Sequence, residues 1–213
     1  MFPAYIAIAS IDGLGNAAAE QKLANTESMA READLSLKDF SFASGERIRE
    51  LRIHYATWGQ PKRNSQGKIV NAVLLCHGTM GSWQSFSKPW WAENMFAPGQ
   101  PLVITQYFII ASDSIGAGQS SKPSDGLKTA FPKYRIEDVV RAQHQLVTET
   151  LGVEQLLAVI GVSYGGRQAW QWGVQYPASM RGLVPTYRDW ETDRKSTRLN
   201  SSHEIPSRMP SSA

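Results

Sequence analysis

The sequence predicts an α/β fold in which a mostly parallel sheet is flanked by helices. Three apolar runs of strand length, at 72–76, 107–111 and 156–160, are separated by loops and by a segment of helical periodicity. Continuous apolar runs are typical of parallel strands that are covered on both faces. Their alternation with helices predicts the α/β class.

The chain before these runs predicts a two-stranded antiparallel start. Apolar and polar residues alternate at 40–42 and again at 51–55, on either side of a turn at Ser44-Gly45. Alternation with period two is the pattern of a half-buried strand. It places His54 on the polar side of its strand, and we expect that side chain to be solvated.

The first buried strand, 72–76, carries the chain's single cysteine and ends in a glycine-containing loop, 77–81. One cysteine excludes an intramolecular disulfide, and the apolar neighbours predict that Cys76 is buried. The loop can bring backbone N–H groups to a reacting centre. His77 at its start is a candidate base, although shaping the loop is the favoured role.

Five aromatic residues crowd the next segment. They could line an acyl pocket, but aromatic clusters more often pack a core, and both alternatives stay open. They are Trp83, Phe86, Trp90, Trp91 and Phe96.

The strand at 107–111 runs into a loop that contains Gly116-Ala117-Gly118. Ser121 takes the place of a third glycine, and the loop continues past Pro123 instead of opening a helix. The sequence therefore argues against a dinucleotide site.

The chain is organised around the stretch from Ile160 to Gly166. An apolar run precedes it and a helical pattern follows it, so Gly-x-Ser-x-Gly here predicts a nucleophile elbow, with Ser163 at a sharp strand-to-helix turn. Gly161, Gly165 and Gly166 shape that turn, because side chains there would collide across it. The alternative is a glycine-rich connection in a doubly wound sheet, with Ser163 as a helix N-cap.

Helices are predicted on both sides of this stretch. Apolar residues recur at helical spacing over 136–151, and Gly152 is a suitable C-terminal cap. After the elbow, helical spacing continues to Tyr176 and ends at Pro177. A short strand at 182–185 follows.

Composition bounds the partners of the protein. Its 213 residues include 42% hydrophobic and 19% charged residues, and its net charge is only +3. No basic cluster is interleaved with aromatic residues, so we expect no nucleic-acid partner. No apolar stretch approaches the length of a transmembrane helix. The expected partner is a small molecule, without a metal or resident cofactor, and the oligomeric state stays unknown.

Three segments are predicted: a leader at 1–35, an α/β domain at 36–187 and a tail at 188–213. The apolar stretch from Phe2 to Ile11 precedes small residues at 17–19, as in a signal peptide of a periplasmic or secreted protein. No Lys or Arg precedes it and Asp12 interrupts it, so the alternative is a disordered leader on a cytoplasmic protein.

Together these motifs resemble the α/β-hydrolase fold, in its N-terminal part. The resemblance depends on His77-Gly78, on the loop after the second parallel strand and on the elbow; in that loop the residues are Asp113, Gly116, Gly118 and Ser120. More narrowly, 40–187 is similar to the homoserine O-acetyltransferase-like branch. The matching stretches are 51–55, 58–59, 96–102, 107–110 and 118–125.

The resemblance implies that Ser163 is the nucleophile, with the backbone of Tyr164 and of Thr79 or Met80 as the oxyanion hole. It implies a base late in the chain, which argues against His77 in that role. The acetyltransferases usually carry Met after the serine, so Tyr164 is a departure. That departure favours hydrolysis of a small ester or thioester over O-acyl transfer, for which acetyl-CoA would be the acyl donor. A non-catalytic α/β binding module is the alternative from another class.

The end of the chain does not fit this pattern. Residues 193–213 resemble the translated read-through of a sequencing adapter, which implies a fold truncated after about its sixth strand. The acid and the histidine base are then expected to be absent, with Asp189 a weak candidate for the acid. His203 is the only histidine after Ser163, and no strand pattern accompanies it.

Overall fold

The computed structural model of the protein describes residues 26–186. The predicted leader falls mostly before this range, and the predicted tail after it. Both assignments therefore stay predictions, as does the role of Asp189.

Six strands form one sheet in the order β1-β2-β4-β3-β5-β6. β1 pairs with β2, and β2 with β4, in antiparallel register, whereas all remaining pairs are parallel. The predicted α/β class with a mostly parallel sheet is confirmed. The strands are β1 (Arg31–Ser41), β2 (Arg47–Trp58), β3 (Ala72–Cys76), β4 (Phe108–Ser112), β5 (Ala158–Val162) and β6 (Leu183–Thr186).

Three α-helices and several single turns connect these strands. The second helix continues into a π-helical turn at Leu146–Thr150, and Gly152, with φ of 67°, follows that turn. The helices are α1 (Pro89–Met95), α2 (Ile136–Gln145) and α3 (Tyr164–Gln175). Short 3-10 turns lie at Trp83–Phe86, Pro123–Asp125, Lys128–Ala130 and Pro177–Ser179. No helix within residues 26–186 combines the length and the apolar character needed to cross a membrane.

The first strand begins at Arg31, so the last five residues of the predicted leader belong to the sheet. β1 pairs only with β2 and is mostly exposed along its first half. An edge strand with exposed faces carries polar residues, which is why 31–35 lacks the apolar pattern of a strand.

The sheet divides the core into two layers. Side chains of β3 and β4 alternate between them: Leu74 and Ile110 face α2 and α3, while Leu75 and Ile109 face α1. The aromatic segment after β3 fills the second layer, where Trp58 packs on both Trp83 and Phe96, with ring centroids 5.8 and 5.4 Å apart. Of the two alternatives for this segment, packing is therefore the one the structure shows. Trp90 is the exception, since its side chain is exposed.

Candidate active site

Ser163 follows β5 and directly precedes α3. Its backbone has φ of 57° and ψ of −115°, a conformation that is strained for any residue other than glycine. The hydroxyl makes no capping hydrogen bond, and the residue is exposed. The Ser163 N–H donates to the Thr186 carbonyl at 2.7 Å, so β6 holds the turn in place. This geometry is that of a strand-to-helix elbow, and it argues against a helix N-cap role for Ser163.

The elbow closes tightly because its glycines touch backbone. A Cβ at Gly161 would lie 1.9 Å from the Gly165 carbonyl oxygen, and one at Gly165 would lie 1.9 Å from that of Cys76. Real Cβ atoms do not approach an oxygen so closely, so only glycine fits at either position. Ser163 is thereby presented at the carboxyl end of the sheet, beside β3.

The loop after β3 passes beside the nucleophile. A Cβ at Gly78 would lie 3.5 Å from Ser163 Cβ and 4.0 Å from its Oγ. The Gly81 N–H donates to the Gly78 carbonyl at 3.0 Å, and Met80 has φ of 58°. These are features of a type II turn, whose third residue needs positive φ. Thr79 and Met80, the two central residues of this turn, are exposed.

His77 is buried at the base of this loop and both of its ring nitrogens are engaged. Nδ1 lies 2.8 Å from the Gly78 carbonyl oxygen, and Nε2 accepts from the Ser114 N–H at 3.0 Å. Burial lowers the pKa of His77, against smaller opposite effects of the Gly78 carbonyl and Asp113. A ring with two backbone partners has no free nitrogen for the Ser163 hydroxyl. The structure thus places His77 where it shapes the loop.

Asp113, directly after β4, is hydrogen-bonded to the turn at Trp83 and to the loop at 118–120. Its buried carboxylate accepts from the Trp83 N–H and from the Gln119 N–H, each at 2.7 Å. The Asp113 carbonyl accepts from the Ser120 hydroxyl at 2.9 Å. Gly118 packs against the carboxylate, since a Cβ there would lie 1.9 Å from Oδ2. The loop that resembled part of a dinucleotide site is thus folded around an aspartate.

A cavity of about 480 Å³ opens between the loops that follow β3 and β4, and its lining includes Gly78, which borders Ser163. Its size falls within the range of small-molecule sites. Tyr134 and Tyr164 line it, and burial raises the pKa of Tyr164, with a further increase from Tyr134. Lys122 also lines it, but its ammonium group is held by Asp125 at 3.2 Å and by the Gly118 carbonyl at 2.9 Å. Sequence analysis gave no site role to Tyr134, which lies outside every motif, or to Lys122, which lies within the matching stretch 118–125.

The expectation that His54 is solvated is wrong. Its ring is buried, with Nδ1 2.8 Å from Asp34 and Nε2 3.0 Å from Glu32. The loop after β4 covers it, and the Ser120 hydroxyl accepts from the His54 N–H at 2.9 Å. Alternation placed His54 correctly on the polar face of β2, but that face is covered by β1 side chains and by this distant loop.

Within residues 26–186, no histidine contacts the Ser163 hydroxyl. His54 and His77 are engaged as described, and His144 stacks on Tyr176 with ring centroids 3.7 Å apart. Nor does this part of the chain bring together three His, Cys, Asp or Glu side chains that could hold a metal ion. The remaining acid and base candidates, Asp189 and His203 among them, lie outside the described residues.

The chain is similar to known proteins in sequence and in fold. Residues 71–188, more than half of the chain, match the family model of the alpha/beta hydrolase fold. A probable acyltransferase of Methanothermobacter thermautotrophicus is 36% identical over 73% of this chain and 47% of its own length. A homoserine O-acetyltransferase of Caulobacter vibrioides is 41% identical over 66% of this chain and 39% of its own length.

Solved structures lead to the same group of enzymes. An acetylester hydrolase from Corynebacterium glutamicum superposes with a TM-score of 0.63 at 29% identity, covering 73% of this chain and 43% of its own. The homoserine O-acetyltransferase from Staphylococcus aureus superposes with a TM-score of 0.61 at 27% identity, covering 72% of this chain and 45% of its own. The chain thus spans less than half the length of each of these relatives. On the family match, the fold and the elbow, the chain belongs to the α/β-hydrolase fold family of enzymes.

Proposed function

We propose that Ser163 is the nucleophile of an acyl-transfer enzyme that acts on a small ester or thioester. The observation that carries the proposal is the exposed, strained Ser163 beside the Gly78–Gly81 turn. The adjoining cavity offers room for a short acyl group. Relatives named as acyltransferases and esterases support the same class of reaction.

In this mechanism the Ser163 oxygen attacks the substrate carbonyl carbon while its proton passes to a base. The carbonyl oxygen becomes an oxyanion, which backbone N–H groups stabilise more than they stabilise the ground state. The donors are the Tyr164 amide, at the N-terminus of α3, and an amide of the Thr79–Met80 pair. Collapse expels the alcohol or thiol and leaves acyl-Ser163. We assign the base to a residue outside 26–186.

Two fates of acyl-Ser163 define two candidate enzymes. Attack by water makes the protein a hydrolase, the reading that Tyr164 after the nucleophile favours. Attack by the hydroxyl of an alcohol such as homoserine makes it an O-acyltransferase, with acetyl-CoA as the acyl donor. The names of the homoserine O-acetyltransferase relatives support this second candidate. Neither candidate requires a resident cofactor.

The decisive experiment detects the covalent intermediate. The 213-residue chain is incubated with p-nitrophenyl acetate or acetyl-CoA, and intact-mass spectrometry measures acetylation beside a Ser163→Ala variant. Because the base is assigned outside residues 26–186, acetylation should be slow and is followed for hours. We expect one acetyl group, on Ser163, in the unsubstituted chain only. Equal acetylation of both proteins would overturn the nucleophile assignment.

Partitioning of that intermediate separates the two candidates. The acetylated chain is freed of donor and then mixed with buffer alone or with homoserine. Release of acetate at the same rate in both supports hydrolysis. Faster deacetylation with formation of O-acetylhomoserine would replace the hydrolase reading with the transferase one.

A further inference from the structure

A buried chain of polar side chains joins the elbow helix to the loop after β4, and the mechanism above does not use it. The Trp172 Nε1–H donates to Gln143 Oε1 at 2.9 Å, and Gln143 Nε2 donates to Gln168 Oε1 at 2.7 Å. Gln168 Nε2 then donates to Ser114 Oγ at 3.0 Å. All four side chains are almost completely buried.

The donor and the acceptor of every hydrogen bond in this buried series are fixed. An indole nitrogen can only donate, so Gln143 must present its oxygen to Trp172 and its amide nitrogen to Gln168. Gln168 must in turn present its oxygen to Gln143, which leaves its amide nitrogen to hold Ser114. No alternative orientation satisfies all these buried groups, and an unsatisfied buried group is costly.

The same reasoning fixes the tautomer of His77. The Ser114 backbone N–H can only donate, so His77 Nε2, 3.0 Å away, must be the acceptor. The Gly78 carbonyl can only accept, so Nδ1, 2.8 Å away, must carry the proton. His77 is therefore a neutral ring with its proton on Nδ1, held between two backbone groups.

The His77 ring fixes the orientation of the peptide group between Gly78 and Thr79. The Gly78 carbonyl accepts from both His77 Nδ1 and the Gly81 N–H, so its direction is fixed by two donors. In a trans peptide, the N–H of the next residue points opposite to the carbonyl. The structure has no cis peptide in its described part. The Thr79 N–H consequently points away from His77, and Gly78 itself borders Ser163.

We propose that His77, as its Nδ1–H tautomer and anchored through Ser114 and Gln168, is a positioning residue that aims the Thr79 amide at the oxyanion on Ser163. The inference rests on the proposed function. It selects Thr79 over Met80 as the second oxyanion donor. The same hydrogen bonds would join α3 and the loop 77–81 into one unit. The Tyr164 and Thr79 amides would then keep their relative position.

Two substitutions separate the two hydrogen bonds of His77. In His77→Asn the amide nitrogen can replace Nδ1 and donate to Gly78, while the bond from Ser114 is lost. In His77→Gln the longer side chain can place its oxygen where Nε2 lay and accept from Ser114, while the bond to Gly78 is lost. The readout is the rate constant of Ser163 acetylation by p-nitrophenyl acetate, followed by intact mass, with the melting temperature of each variant.

We expect acetylation to slow on the order of 100-fold in His77→Gln, because a catalytic group misplaced by about 1 Å costs that much. In His77→Asn we expect a loss of less than about tenfold, since the donor to Gly78 remains. His144→Gln, at a histidine that stacks on Tyr176 and does not touch the loop 77–81, serves as the control. Equal losses in the Asn and Gln variants, or no loss in either, would overturn the proposal.

A second measurement needs no destabilising variant. The chain has four histidines, and long-range ¹H–¹⁵N spectra of the unsubstituted protein report the tautomer of each ring. We expect one ring, assigned to His77 by its absence in His77→Asn, to keep its proton on Nδ1. A His77 ring protonated on Nε2 would refute the inference alone, whereas acetylation of Ser163→Ala at the same rate as the unsubstituted chain would refute the proposed function.

Discussion

Gly165 packs directly on the carbonyl group of Cys76, so closely that an added Cβ would lie 1.9 Å from the carbonyl oxygen and 2.5 Å from its carbon. This contact brings the first turn of α3 against the end of β3. The second glycine of Gly-x-Ser-x-Gly is therefore required by the packing of a helix on a neighbouring strand. The turn alone does not demand it.

Gly165→Ala should lower the free energy of unfolding by about 3 kcal/mol or more, because neither backbone can move without disturbing the core. Gly182→Ala is the matched control, since its nearest neighbouring atom is 3.7 Å away and the new methyl group fits. Urea unfolding of both variants measures the difference. Equal stability of the two would show that the contact is looser than described.

Thr79→Pro tests which amide stabilises the oxyanion. Proline suits the second position of a type II turn, so the substitution removes the Thr79 N–H while keeping the turn. We expect Ser163 acetylation to slow about 100- to 1,000-fold, the usual loss for one oxyanion donor.

The matched control for that variant is Met80→Gly, which relieves a positive φ and leaves the Thr79 amide in place. It should acetylate faster than Thr79→Pro and unfold at a temperature no lower than the unsubstituted chain. Fast acetylation of Thr79→Pro would mean that another group is the donor.

Gln168→Met removes the two buried hydrogen bonds that link Gln143 to Ser114 through the Gln168 amide. It leaves an amide nitrogen and a hydroxyl without partners, and each buried unsatisfied group costs about 1–3 kcal/mol. Thermal unfolding should show this loss, while Gln171→Met, at a half-buried position of the same helix, should show little. Similar melting temperatures for the two variants would contradict the prediction.

His77 should make stability depend on pH. Burial lowers its pKa below the ordinary value of 6.5, so below that pH the unfolded chain binds a proton that the folded chain does not. The contribution of neutral His77 to the free energy of unfolding is fully present above about pH 6.5. It is lost as the pH falls towards the lowered pKa of His77 in the folded state. Urea unfolding across this range should show a weaker pH dependence in His77→Asn.

His144 acts in the same pH window, because burial also lowers its pKa. His144→Gln therefore provides the reference for its share of the effect. An unchanged slope in His77→Asn would mean that His77 takes up a proton in the folded protein as readily as in the unfolded one.

The 213-residue chain should turn over p-nitrophenyl acetate very slowly. No histidine within residues 26–186 reaches Ser163, and loss of the triad histidine costs about a millionfold in turnover in a serine protease. Steady-state release of p-nitrophenol is compared for the unsubstituted chain, Ser163→Ala and His203→Ala. We expect His203→Ala to have no effect, and rapid turnover abolished by that substitution would identify His203 as the base.

The parallel part of the fold could be predicted because its signals are local. β3 has the predicted bounds, 72–76, since a run of apolar residues is bounded there by polar ones. The elbow could be predicted because Gly-x-Ser-x-Gly lies directly between a strand pattern and a helical pattern, all within a short stretch of sequence. β5 begins at Ala158, two residues later than its apolar run, because Leu156 and Leu157 approach the sheet before regular pairing begins.

The features that sequence analysis missed depend on distant contacts. His54 is covered through Ser120, which is 66 residues away in the chain. The tautomer of His77 is fixed by Ser114, 37 residues away, and its anchor Gln168 lies further still. Periodicity describes which face a side chain occupies, but it carries no information on which loop will cover that face.

Because Cys76 is buried, the reactivity of its thiol can be used to measure unfolding of the protein. It is the only cysteine, and burial raises the pKa of its thiol to about 12, so the reactive thiolate is scarce at neutral pH while the core is intact. An alkylating reagent can then label the protein only when β3 separates from its neighbours. The labelling rate, read as a single mass shift, would measure how often the centre of the sheet opens, without any introduced probe.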